Sequence, residues 1–129
     1  MAVRILVIDD DDDDVEMIDR ALSEHGYIAL IARSGDEAMR IAEIQQPDLL
    51  LLDIHMPAMN GFEVAASVRR QPGLERTRIV AVTGSWIEDQ SELQSAGFDG
   101  YIRKPIDPGS FLSQIEAFLD APLAEPREH

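Results

Sequence analysis

At 129 residues the chain is the size of one ordinary domain, large enough to bury roughly two-thirds of its unfolded surface around a single core. Its 45% apolar and 5% aromatic content describes a globular core of Ile, Leu, Val, Ala and Met rather than a disordered chain, and the lack of cysteine excludes disulfides, thiol nucleophiles, iron-sulfur clusters and Cys-type zinc sites. The net charge of -14 opposes direct binding to nucleic acid, which needs clustered Lys and Arg, and points to metals or proteins as partners.

The first strand-length apolar run is Ile5 to Ile8. It ends in the acidic stretch Asp9 to Asp14, after which Val15, Ile18 and Leu22 form a helical stripe, with Asp14 as the expected N-cap and Gly26 at the C′ position. A second run, Ile28 to Ile31, leads to Ser34 with Glu37, a capping box ahead of the stripe Ala38, Ile41 and Ala42. Leu49 to Leu52 is the third run, closed by Asp53 and followed by the stripe Val64, Ala65 and Val68. The fourth, Ile79 to Val82, is closed by Thr83 and followed by a second capping box, Ser85 with Glu88, and by Gly97 as a C′ glycine. The short fifth run, Tyr101 and Ile102, precedes Lys104, and Asp107 then Pro108 open a last helix on Phe111, Ile115 and Phe118.

Runs that are continuously apolar rather than alternating belong to strands covered on both faces, so five buried strands alternating with helices are expected. Right-handed crossovers then make a doubly wound α/β sheet, whose ligands bind beyond the carboxyl ends of the strands. The expected organisation is one domain over residues 1–120 with a mobile polar tail over 121–129. No apolar run reaches the roughly 18 residues of a membrane span and MAVRILVIDD lacks a signal-peptide pattern, so a cytoplasmic protein with no membrane partner is expected.

Asp9, Asp10, Asp53, Thr83 and Lys104 all fall at carboxyl ends of these strands, so the fold brings them to one rim. Carboxylates gathered there repel one another by up to a few kcal/mol per close pair at an effective dielectric near 20, and they call for a cation. A site of Asp oxygens without His or Cys suits Mg²⁺ or Mn²⁺. Asp53 is then a carboxylate nucleophile for a phosphoryl group, with Lys104 neutralising charge and Thr83 donating a hydrogen bond. Asp11 to Asp14 read instead as an acidic, solvated turn capping the next helix. An EF-hand loop fails because its sixth position would be Asp14 rather than Gly. His25, His55 and His129 have no ligand spacing, and Trp86 is a candidate partner contact at the start of the fourth helix.

The stretches ILVIDDD, LLLDIHMPAMNG, IVAVTG and YIRKP resemble the four signature stretches of bacterial response-regulator receiver domains, the single-domain chemotaxis regulators among them, over roughly residues 3 to 120. That resemblance implies a flavodoxin-like sheet in the order 2-1-3-4-5 and a histidine kinase or histidine phosphotransfer protein as phosphoryl donor to Asp53. It implies a metal held by Asp9, Asp10, Asp53 and the backbone carbonyl of His55, a switch made of Thr83 and Tyr101, and a cis bond before Pro105. It further implies that the face of helix four, strand five and helix five changes its partners, in relatives including a second copy. Gly84 departs from the Ala usual in the family, and His55 and Ser85 occupy positions that tune phosphoryl lifetime there.

Three other readings stand beside this one. A Mg²⁺-dependent phosphatase of the haloacid-dehalogenase kind needs a second Asp two residues after its nucleophile, where this chain has His55. A flavin carrier on the same fold needs a phosphate-binding loop after strand one, where Asp9 to Asp14 would repel it. An interaction domain that is never phosphorylated keeps the fold without the chemistry.

Overall fold

The computed structural model describes residues 2–56, 60–84 and 90–121. The chain alternates β1 (Arg4–Ile8), α1 (Asp12–Glu24), β2 (Ile28–Ala32), α2 (Gly35–Gln45), β3 (Leu49–Asp53), α3 (Gly61–Arg70), β4 (Arg78–Thr83), α4 (Gln90–Ser95), β5 (Gly100–Arg103) and α5 (Pro108–Asp120). All neighbouring strands are parallel and the sheet order is β2-β1-β3-β4-β5. The doubly wound sheet and its order are therefore as the pattern and the resemblance lead one to expect.

The period of two along each strand divides the core between the faces. Leu6, Ile8, Leu50, Leu52, Ile79 and Ala81 point to one side, where Ala38 and Ala42 of α2, Val64, Ala65 and Val68 of α3 and Leu93 of α4 cover them. Ile5, Val7, Leu49, Leu51, Val80 and Val82 point to the other, beneath Ile18 and Leu22 of α1 and Phe111 and Ile115 of α5. Strands buried on both faces have no solvent side, which is why their sequences read as unbroken apolar runs.

Burial is less uniform than that reading implies. β1, β3 and β4 are buried almost throughout, but the edge strands are not: Ile28 of β2 is 39% exposed and Arg103 of β5 is exposed. An edge strand loses cover on its outer flank, and apolarity alone does not distinguish it from a central one.

The helix caps depart from expectation in two places. Asp11, not Asp14, is the N-cap of α1: its carboxylate accepts from the backbone N–H groups of Asp13 and Asp14. Four consecutive acidic residues offer four equivalent caps, and the one at the strand-to-helix bend takes the role. At α2, Ser34 accepts from the Glu37 N–H, but Glu37 reaches past Ser34 to the Arg33 N–H, so the box is closed one residue early. Asp107 and Pro108 cap α5 as expected, and Gly26 and Gly97 have φ of 92° and 101°, the left-handed values that favour glycine at C′. The Lys104–Pro105 peptide bond is cis. The second capping box at Ser85 and Glu88, Trp86, and the tail beyond Ala121 with His129 lie outside the described residues. No described helix is long and apolar enough to cross a membrane.

Candidate functional site

Parallel register does most of the work of assembling the rim. Ile8 is opposite Leu52, Asp53 opposite Val82 and Thr83 opposite Arg103, so the residues that follow β1, β3, β4 and β5 emerge side by side. The turn after β3 is held close by α3: a Cβ added at Gly61 would stand 2.9 Å from both Cα and Cγ2 of Ile54. Any side chain there would push the Asp53 turn off its seat, a steric reason for a glycine at the first position of α3.

Asp9, Asp10 and Asp53 each offer a carboxylate oxygen within 4.8 Å of the others, with Asp9 and Asp53 buried and Asp10 exposed. Asp9 Oδ1 accepts from the Asp11 N–H at 2.9 Å, and Asp53 Oδ1 accepts from the His55 N–H at 2.9 Å. The second oxygens face Lys104, whose Nζ lies 3.2 Å from Asp9 Oδ2, 3.2 Å from Asp53 Oδ2 and 2.9 Å from Asp14 Oδ2. Thr83 is fully buried; its hydroxyl lies 2.9 Å from His55 Nε2, and its carbonyl accepts from the Lys104 N–H at 2.7 Å. Tyr101 is half-buried against the α2–α3–α4 side of the core.

One cation therefore faces three carboxylates. Burial works against the charge on Lys104, but the hydrogen bond to Asp14 and the charges of Asp9 and Asp53 outweigh it and hold the ammonium well above the ordinary lysine value. Burial is also the main influence on Asp9; the Asp11 N–H and Lys104 oppose it without cancelling it, the Asp53 charge adds to it, and the Asp9 carboxyl ends above the ordinary aspartate value. The cluster is under-neutralised. Oxygen ligands of an octahedral ion at about 2.1 Å stand about 3 to 4 Å apart, so three hard oxygens already within 4.8 Å fit one small divalent cation after a minor contraction.

The expected residues Asp9, Asp10, Asp53, Lys104 and Thr83 thus converge as the strand ends imply. Two participants were not foreseen. Asp14, read as a solvated cap, binds Lys104; the available signal is that side chains in a first helical turn lean back toward the N-terminus, which here is the rim. The His55 imidazole reaches Thr83, and no local pattern links residues 28 positions apart.

The family model describing the response regulator receiver domain matches residues 5–116. The chain is 28% identical over 120 residues to the polar-differentiation response regulator DivK of Brucella ovis, covering 92% of this chain and 98% of that protein. Its fold is similar to that of chemotaxis protein CheY4 of Vibrio cholerae, with a TM-score of 0.86, 27% identity, and coverage of 92% and 99% of the two chains. It is also similar to the receiver domain of sensor histidine kinase PA1611 of Pseudomonas aeruginosa, solved with a magnesium ion coordinated in its active-site cleft, at a TM-score of 0.82, 24% identity, and 94% and 100% coverage.

Proposed function

The chain belongs to the response regulator receiver domain family, the phosphoryl-accepting signalling domains of two-component systems, and from that premise we propose that Asp53 is its phosphoryl acceptor. The observation that carries this reading is the convergence of three aspartate oxygens within 4.8 Å, with the Lys104 ammonium 3.2 Å from Asp53.

In this reading an Asp53 oxygen forms a bond to phosphorus as the bond between phosphorus and a histidine nitrogen of the donor breaks. The electron pair leaves with the imidazole. Asp9, Asp10, Asp53 and the His55 carbonyl hold Mg²⁺ or Mn²⁺, which supplies charge neutralisation when bound; the magnesium in the cleft of the Pseudomonas receiver is the precedent. Lys104 binds an equatorial phosphoryl oxygen as the negative charge on Asp53 passes to the phosphoryl group. Thr83 donates its hydroxyl to another, Tyr101 follows it, and the face of α4, β5 and α5 changes its protein partners in the cytoplasm. Receiver domains act in this way as signalling partners of histidine kinases and downstream targets, with their own acceptor residue as the site of transfer.

Incubation with acetyl phosphate and Mg²⁺ followed by intact mass tests the acceptor. Wild type is expected to gain one phosphoryl group, about 80 Da, in a metal-dependent manner, and Asp53→Ala to gain none. A gain retained in Asp53→Ala moves the acceptor elsewhere; no gain in wild type from either acetyl phosphate or a phosphorylated histidine domain leaves only a receiver-like interaction domain.

A further inference from the structure

Sequence resemblance gives His55 a backbone carbonyl on the metal and a position that tunes phosphoryl lifetime, but no link to Thr83; in the fold its side chain makes the contact that ties the acceptor turn to β4. Thr83 is fully buried, whereas His55 is exposed, so the imidazole reaches inward from the loop to a hydroxyl that solvent does not touch. The bonds around it close a ring. Asp53 Oδ1 accepts from the His55 N–H, His55 Nε2 stands 2.9 Å from Thr83 Oγ1, the Thr83 carbonyl accepts from the Lys104 N–H, and Lys104 Nζ donates to Asp53 Oδ2. A change of charge or position at Asp53 therefore reaches Thr83 from two sides, through His55 at its hydroxyl and through Lys104 at its carbonyl.

We propose that the His55 imidazole is a latch on the Thr83 hydroxyl, holding it in the unphosphorylated arrangement so that a phosphoryl group on Asp53 has to displace the ring before the switch turns. The proposal rests on the reading of Asp53 as acceptor and Thr83 as the hydroxyl that follows the phosphoryl group. With Nε2 unprotonated the hydroxyl donates its one proton to the ring; with Nε2 protonated the ring donates to the hydroxyl oxygen. In both tautomers the oxygen is held at the ring, and turning it toward Asp53 gives up that bond. One net hydrogen bond shifts an equilibrium by about 2- to 12-fold, enough to set how readily phosphorylation moves the population. A ring that only satisfied a buried hydroxyl would contribute to stability without altering the response to phosphorylation.

The test follows the Thr83 methyl group by NMR in the threonine-labelled 129-residue chain, and phosphoryl occupancy by intact mass across an acetyl phosphate titration. Because His55 is exposed, His55→Ala leaves the core untouched. Without donor, the Thr83 methyl resonance of His55→Ala is expected to move toward its phosphorylated position, and the half-saturating acetyl phosphate concentration to fall about 2- to 12-fold. In a Thr83→Val background, which keeps the branched shape and removes the hydroxyl, His55→Ala should then change the half-saturating concentration by less than about 2-fold. An unmoved Thr83 resonance, or an effect of His55→Ala that persists undiminished with Val at that position, overturns the latch. Failure of the acceptor reading is separately visible, since wild type would then gain no mass while the donor-free resonance is still scored.

Discussion

The sheet carries a partly buried charge cluster at each end, built from similar parts to opposite effect. At the amino ends of the strands Arg69, its side chain 9% exposed, meets the Asp99 carboxylate at 2.8 Å. Its remaining donors reach the carbonyls of Gly97 and Thr77, and Asp99 also accepts from the Ile79 N–H. Among the described residues one guanidinium faces one carboxylate, and the hydrogen bonds pin α3 to the starts of β4 and β5. At the carboxyl ends Lys104 meets Asp9, Asp14 and Asp53, and the exposed Asp10 adds a further negative charge. A balanced pair in a partly dry setting holds a structure together; an unbalanced set leaves negative charge that a bound cation would offset, as the proposed function requires.

The balanced end should give the largest effect on stability. Arg69→Met leaves the Asp99 carboxylate without its guanidinium, and urea denaturation is expected to show a loss of about 3–5 kcal/mol. Arg69→Met with Asp99→Leu removes both charges and should recover most of that loss. Phosphoryl uptake by either variant, assayed where the protein is folded, should match wild type. A loss below about 1 kcal/mol would mean that the two ends do not differ in the way described.

Lys104→Met tests the unbalanced end. It removes the cation that three carboxylates share, and in EDTA the chain should lose about 1–3 kcal/mol. Saturating Mg²⁺ should restore most of the loss, because the ion takes over the neutralisation, and Mg²⁺ affinity read by thermal shift should rise above wild type. Phosphoryl uptake should nevertheless fall by about 100-fold, since the metal does not replace the ammonium on the equatorial oxygen. Equal losses with and without Mg²⁺ would make Lys104 a structural cation like Arg69.

The two ends also differ in how far they could be read from the sequence. The carboxyl-end rim was legible because each of its members terminates an apolar run, and parallel register converts strand ends into neighbours: Asp9, Asp53, Thr83 and Lys104 need no contact information to be placed. Arg69 and Asp99 carry no such marker, lying 30 positions apart at a helix end and in a loop. The same limit hid the His55–Thr83 bond. Asp14 was misplaced for a different reason: a run of aspartates satisfies every local rule for a cap, so only the approach of α1 to Lys104 separates the N-cap Asp11 from the Lys104 partner Asp14.

A smaller and opposite effect is expected at Asp9. Burial raises its carboxyl above the ordinary aspartate value despite Lys104, so the folded chain disfavours this charge more than water does. Asp9→Asn retains an oxygen for the Asp11 N–H and should stabilise the metal-free protein by about 0.5–2 kcal/mol at neutral pH while weakening Mg²⁺ binding. The order of melting temperatures, variant above wild type in EDTA, should reverse in saturating Mg²⁺.

The pH dependence of that gap is the finest test. With its value raised on folding, Asp9 keeps its proton in the folded chain over a window in which the unfolded chain has already released it, so metal-free stability from this group falls as pH rises. Below the ordinary value of 3.8 both states hold the proton and the contribution is absent; above the raised value both have lost it and the penalty is complete. Asn has no proton to lose. Urea unfolding in EDTA from about pH 3.5 to 7 should therefore show the stability advantage of Asp9→Asn opening as pH rises and then holding constant, whereas an advantage already full at the acid end would trace it to packing rather than charge.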